Sequence, residues 1–200
     1  VLGYGIDYNS SDFAAIEANI ANQGQAASQE MLLLTQKIGF QITAGEMMEL
    51  SKNSYWQNNW TGEMFAEVLL NKPEYQEHPL LAPYRPGGVR ADNPYVNFYW
   101  DYYSQGKPCY TKIEYPDLAH PVSLIHGNHG KAVLAHPGVN LKNRDNLLLP
   151  IIQTVIDGIE VYSSYHSTEQ FLQYYSVILS NDLFFTCGSD YHGNTKPAIK

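Results

Sequence analysis

Apolar residues between positions 9 and 105 recur every three or four residues, which is the spacing of one face of a helix. Phe13, Ile16 and Ile20 begin such a series, which continues to Ile38 before Gly39. Ser11 or Asp12 is placed to cap this helix, and Gly24 is a candidate break within it. Further helices are predicted over 43–50, where Thr43 and Glu46 form a capping box, over 62–71, and over the aromatic segment 94–104. The spacing of these aromatic residues favours packing against the strand-containing part of the fold over a platform for stacking nucleic-acid bases.

From Lys107 onward the pattern changes to short apolar runs that alternate with helical segments. Runs of this kind predict parallel strands that helices cover on at least one face. The opening segment, residues 1–7, also has the composition of a strand. The predicted strands are 110–115, 131–135, 158–162 and 183–186, and the predicted helices are 117–125, 145–156 and 167–179.

Polar residues follow these strands where each of them ends. His136 comes directly after the strand 131–135, and Asp190 and His192 follow the last strand. Because active sites of parallel α/β folds are built at the carboxyl ends of several strands, we expect these side chains to meet. Imidazole and carboxylate groups together form a ligand set suited to Zn, Mn or Fe. The sequence therefore predicts a metal site containing His136, Asp190 and His192, although each residue taken alone is more typical of an ordinary loop.

Glu160 lies within the strand 158–162, and His166 follows it. Both are candidates for residues beside the metal site. Glu160 has an alternative interpretation as the partner of a nearby backbone group or of Arg144.

Composition limits the classes of partner. The net charge is −8 with only 12 Lys and Arg, which argues against stable binding of duplex nucleic acid. No apolar run approaches the roughly 18 residues of a membrane helix. The chain has two cysteines without a disulfide pattern and no signal peptide, so a cytoplasmic location is expected. Binding of a small phosphorylated partner is compatible with this negative net charge, because metal ions can supply the positive charge that the phosphate requires.

Three strings are similar to the later motifs of the PHP (polymerase and histidinol phosphatase) family of metal-dependent phosphoesterases. They are Ala135–Gly138, Gly158–Val161 and Gly188–Gly193, and the opening Leu2–Asp7 resembles the segment after a metal-binding His of that family. The resemblance implies an α/β fold, a partial distorted (β/α)7 barrel with an inserted helical subdomain. Residues 1–8 would be a barrel strand, 9–105 the helical insertion and 106–200 the C-terminal part of the barrel.

The resemblance also implies a mechanism and a ligand set. Two or three divalent ions, Mn, Zn or Fe, would activate water against a phosphorus atom, with His136, Asp190 and His192 among their ligands. The other ligands of the family belong upstream of Val1. We therefore expect the chain to be a fragment of a longer protein, inactive alone and prone to self-association through exposed barrel edges.

A second departure from the family concerns substrate binding. Relatives often present Arg-Pro-His where this chain has Gly62-Glu63-Met64. Arg85 and Arg90 are the candidates to bind the substrate instead, unless both are simply solvated. Three functions follow: a phosphoesterase acting on nucleotides or short nucleic acids, a non-catalytic nucleotide-binding or regulatory module, and a metal-dependent amidohydrolase on a similar barrel.

Overall fold

The structure is a computed structural model that describes residues 1–142, 144–154 and 156–191. These residues form two compact units, each with a hydrophobic core of its own. The sheet unit contains residues 1–16 and 116–191, and the helical unit contains residues 17–115. His192, one of the predicted metal ligands, lies outside the described residues.

The described part of the sheet unit is built on four strands, which are β1 Leu2–Tyr4, β2 Lys131–Leu134, β3 Gly158–Ser163 and β4 Phe184–Gly188. They lie in the order β1-β2-β3-β4. The strands β2, β3 and β4 are parallel, as the alternation of strands and helices predicted. β1 pairs antiparallel with β2 at the edge of the sheet and is largely exposed, which antiparallel pairing allows. The (β/α)7 barrel implied by the family resemblance stays a prediction.

The residues described for the sheet unit include four α-helices that lie wholly within it. The helix Thr168–Asn181, α8, begins with a complete capping box, in which Ser167 and Gln170 each bind the backbone N–H of the other. The predicted helix 145–156 is an α-helix only over residues 148–152. Its start is late because Pro150 has no N–H to donate to a carbonyl one turn earlier, and residues 145–147 form a 3-10 turn instead. The helices are α5 Ala119–Gly127, α6 Pro137–Leu141, α7 Leu148–Ile152 and α8 Thr168–Asn181.

Asp157 joins three segments of the sheet unit just before β3. Its carboxylate accepts hydrogen bonds from Lys131 Nζ at 2.8 Å and from the backbone N–H of Ala132 at 2.8 Å, and it lies 2.6 Å from His126 Nε2. Partial burial would raise the pKa of Asp157, but the hydrogen bonds from Lys131, His126 and Ala132 outweigh it and lower this pKa to about 2. The carboxylate thus ties β2 and the end of α5 to the start of β3.

The helical unit contains α2 Ala44–Ser51, α3 Gly62–Asn71, α4 Pro94–Tyr102 and most of α1 Ala14–Lys37. The capping box of Thr43 and Glu46 is confirmed. Gly24 does not interrupt α1; a Cβ there would lie 2.8 Å from the Asn59 side chain, so the small residue allows close packing. Phe98 of α4 is buried against Phe40 and other rings of this core, whereas the sequence predicted packing against the strand-containing part of the fold.

The prediction of a strand over residues 110–115 is wrong. The structure assigns these residues no regular element. The side-chain amide of Gln23 instead pairs with the backbone of Glu114, donating to its carbonyl at 3.0 Å and accepting from its N–H at 2.7 Å. A side chain therefore satisfies the backbone groups that a neighbouring strand would have bound. None of the described helices is long and apolar enough to cross a membrane.

Candidate metal site

His136 and Asp190 occupy equivalent places on the two strands that flank β3. Each lies two residues beyond the end of its strand, His136 after β2 and Asp190 after β4. Both have left-handed backbone conformations, with φ of 26° and 50°. Such conformations cost on the order of 1–3 kcal/mol in residues other than glycine, and they are concentrated at functional sites. His129, Lys142 and Asp182 share this conformation, so it accompanies the candidate site without identifying it.

The two side chains point toward each other. His136 Nε2 lies 3.9 Å from Asp190 Oδ1, and both side chains are about one-fifth exposed. Two ligands at about 2.1 Å from one tetrahedral ion would be about 3.4 Å apart, so a small approach would suffice. The nitrogen and oxygen donors thus fit part of a divalent metal site. Within the described ranges, no group of three His, Cys, Asp or Glu side chains could hold an ion.

Glu160 is buried in β3, with only 4% of its surface exposed. Its Oε2 accepts the backbone N–H of His136 at 2.8 Å, so the backbone partner considered from the sequence is the one observed. Gly188 of β4 leaves room for this carboxylate, because a Cβ at that position would lie 1.8 Å from Glu160 Oε1. The Glu160 carboxylate therefore fixes the backbone that carries His136.

His166 makes two hydrogen bonds through its ring. Nε2 accepts the backbone N–H of Gly138 at 3.1 Å, so the neutral ring carries its proton on Nδ1 and donates it to the carbonyl of Val161 at 2.8 Å. Both nitrogens are used within the fold, which places His166 in support of the turn after His136.

Tyr165 was not among the residues singled out from the sequence. Its hydroxyl donates to Asp190 Oδ2 at 3.1 Å, and its ring lies edge-on to His136 with the centroids 6.0 Å apart. A tyrosine in a polar loop carries no motif that would have indicated this contact. The contact between Tyr165 and Asp190 arises because the fold places the loop after β3 beside the loop after β4.

Arg85 and Arg90 lie in the helical unit and have internal partners there. Arg85 donates to the backbone carbonyls of Leu70 and Tyr75, at 3.2 and 2.9 Å. Arg90 forms a two-pronged ion pair with Asp101, with both N–O distances 3.0 Å. Their role in substrate binding stays a prediction.

A groove of about 650 Å³ also lies in the helical unit, between α2 and α3. Three glutamates, Glu46, Glu49 and Glu67, are among its lining residues. Their negative charge disfavours a phosphate group, and the groove contains none of the predicted site residues.

The sequence matches no family model. It is 25% identical over 193 residues to a phosphoribosyl 1,2-cyclic phosphate 1,2-diphosphodiesterase of Eggerthella lenta, an alignment that covers 96% of this chain and 66% of the relative. It is 33% identical over 94 residues to a 3',5'-nucleoside bisphosphate phosphatase of Chromobacterium violaceum, covering 46% of this chain and 33% of that protein. The chain thus spans two-thirds or less of the length of these curated relatives.

Two solved structures are similar to the whole chain. One is a Bifidobacterium adolescentis protein assigned as a metal-dependent phosphoesterase, with a TM-score of 0.72, 22% identity, and coverage of 96% of this chain and 62% of that one. The other is an amidohydrolase of Chromobacterium violaceum with bound sulfate, with a TM-score of 0.71, 22% identity, and coverage of 95% and 61%. The chain shares its mixed α/β fold with these proteins.

Proposed function

We propose that the chain is part of a metal-dependent phosphoesterase that hydrolyses small phosphorylated compounds, such as nucleotides or short nucleic acids. The observation that carries the proposal is the approach of His136 Nε2 and Asp190 Oδ1 to 3.9 Å at the carboxyl ends of strands. The two curated relatives, a cyclic phosphodiesterase and a bisphosphate phosphatase, support phosphoester chemistry.

In this proposal His136, Asp190 and His192 are ligands of Mn, Zn or Fe. A divalent ion supplies activation of water and neutralises negative charge on the phosphoryl oxygens. Three ligands are too few for the two or three ions that the PHP resemblance implies. We therefore propose that the 200-residue chain is inactive alone and that a longer protein containing it is active, in agreement with its partial coverage of the relatives.

Recognition of the phosphate would then depend mainly on the metal. Arg85 and Arg90 already bind backbone carbonyls and Asp101, so part of each guanidinium is used within the helical unit. The net charge of −8 also disfavours attraction of an anion by the protein as a whole.

The test is hydrolysis by the longer protein with Mn²⁺, using a phosphomonoester, a phosphodiester and an amide side by side. His136→Ala should lower turnover by more than about 100-fold, since loss of a ligand should exceed the 10-fold to 100-fold effect of outer-shell changes. His120→Ala, an exposed histidine of the same unit, is the matched control. Unchanged turnover in His136→Ala would refute the assignment, and cleavage of the amide alone would favour an amidohydrolase.

A second candidate function is a non-catalytic nucleotide-binding or regulatory module with a degenerate site. It is favoured by the acidic Gly62-Glu63-Met64 segment and by the small ligand set of the described residues. Binding of nucleotides by the longer protein without metal-dependent hydrolysis would support this function.

We also propose that the isolated chain self-associates through β4. Phe184 and Phe185 of this strand are 37% and 48% exposed, although an apolar run of this kind is typical of a covered strand. In the described part of the chain, β4 pairs only with β3, so its other edge is open to pairing. Sedimentation velocity should show a concentration-dependent dimer that Phe185→Lys weakens.

A further inference from the structure

The end of β3 and the loop after it, residues 160–166, lie between the two candidate ligands. We propose that Glu160, His166 and Tyr165 are positioning residues that hold His136 and Asp190 in the geometry a metal ion requires. The inference rests on the proposed function, in which His136 and Asp190 bind the ion. In this arrangement β3 orients the candidate ligands that follow its two neighbours, β2 and β4.

On the β2 side, two hydrogen bonds hold the turn that contains His136. The buried Glu160 carboxylate accepts the N–H of His136, and His166 Nε2 accepts the N–H of Gly138. The turn needs such support because His136 has a φ of 26°, which an unconstrained residue other than glycine rarely adopts. A hydrogen bond to a charged acceptor is stronger than one between neutral groups, so Glu160 is suited to this purpose.

His166 is itself fixed to β3. Its Nδ1–H donates to the carbonyl of Val161, so the ring is held in one tautomer and one orientation. A Cβ on Gly138 would lie 2.7 Å from His166 Cδ2, and the absence of that atom lets the backbone approach the imidazole. Through its two hydrogen bonds, the His166 ring thus connects β3 to the turn that carries His136.

On the β4 side, two hydrogen bonds between described residues hold the loop that contains Asp190. Tyr165 donates its hydroxyl to Asp190 Oδ2, and Ser164 Oγ donates to the carbonyl of Ser189 at 3.1 Å. With Oδ2 bound by the phenol, Oδ1 is the oxygen that faces His136 Nε2. The terminal torsion of an aspartate is broad, so this contact selects one orientation of the carboxylate.

The size of the effect follows from the behaviour of residues that orient metal ligands. Their replacement lowers metal affinity or activity by about 10-fold to 100-fold. Tyr165→Phe removes only the hydroxyl oxygen of a side chain that is 42% exposed, so folding should be unaffected. Tyr162→Phe removes the same atom from a half-exposed tyrosine three residues away, which makes it the matched control.

The first measurement needs no metal. In NMR spectra of the 200-residue chain, we expect His166 as the Nδ1–H tautomer, slow amide exchange at His136 and Gly138, and a contact between the rings of His136 and Tyr165. Tyr165→Phe should shift the Asp190 carboxyl carbon, and His166→Ala should accelerate exchange at Gly138 by about 10-fold, as expected for a lost hydrogen bond. Glu160→Gln keeps an acceptor oxygen and should retain more protection at His136 than Glu160→Ala does.

The second measurement is the Mn²⁺ affinity of the longer protein. Tyr165→Phe should lower it by about 10-fold to 100-fold, while Tyr162→Phe stays within about 2-fold of the wild type. Unchanged spectra at Asp190 and Gly138 in the variants would overturn the positioning role, regardless of the measured Mn²⁺ affinity. If the spectra change as expected but the wild type binds no Mn²⁺, the proposed function fails and the positioning of the His136–Asp190 pair stands.

Discussion

Replacement of Asp157 by asparagine tests how the sheet unit is held together. The carboxylate accepts hydrogen bonds from Lys131 and Ala132 and contacts His126, and its pKa is lowered from 3.8 to about 2. Because this pKa is lower in the fold than in the unfolded chain, the ionised carboxylate stabilises the fold above pH 4. The difference corresponds to about 2 kcal/mol, and it is lost as the pH falls from about 4 to about 2.

Asp157→Asn should therefore lower the free energy of unfolding of the sheet unit by about 2 kcal/mol at pH 7, by about 1 kcal/mol at pH 3, and by less than about 0.5 kcal/mol at pH 2. Amide hydrogen exchange of β2 and β3, monitored by mass spectrometry, measures the free energy of unfolding of the sheet unit separately from that of the helical unit. The expected acceleration is about 30-fold at pH 7 and about 2-fold at pH 2, after correction for intrinsic rates.

Two internal controls belong to the same experiment. All three tryptophans, Trp56, Trp60 and Trp100, lie in the helical unit, so their fluorescence should show an unchanged urea midpoint for that unit. Asp117→Asn changes an exposed aspartate of the sheet unit and should leave the exchange rates as they are. An Asp157→Asn effect of equal size at pH 7 and pH 2, or none at pH 7, would refute the assignment of this stability to the ionised carboxylate.

Two further predictions concern the sheet unit and the thiols. Gly188→Ala should displace Glu160, because the new Cβ would lie 1.8 Å from Oε1, and should lower the melting temperature as well as the amide protection of His136; a variant with wild-type stability would contradict this packing. A thiol reagent should modify exposed Cys187 quickly and Cys109 only on unfolding, because Cys109 is buried and burial raises its pKa. Two thiols reacting at equal rates in the native chain would show that Cys109 is accessible.

The sequence determined those elements whose signals are local. The capping boxes of Thr43 with Glu46 and of Ser167 with Gln170 start helices where the sequence predicted them, because both partners lie within one turn. The strands β2, β3 and β4 were also predicted, since short apolar runs between helices have few other arrangements in an α/β fold.

Other elements depended on partners distant in sequence. Residues 110–115 have the alternation of a strand, but the Gln23 side chain binds the backbone of Glu114 and no strand lies there. The direction of β1 is likewise a property of the sheet, because pairing with β2 is possible in either direction for so short a strand. No local pattern could have decided either case.

The candidate site likewise combines features that follow from the sequence with features that depend on the tertiary structure. Position just beyond a strand marked His136 and Asp190 as candidate ligands, because parallel strands bring their carboxyl ends to one edge of a sheet. Tertiary structure decided the 3.9 Å approach of their side chains and the roles of the residues between them. Those contacts depend on the register of β3 with β4 and on two left-handed backbone conformations, which arise only when the strands and their loops are packed together.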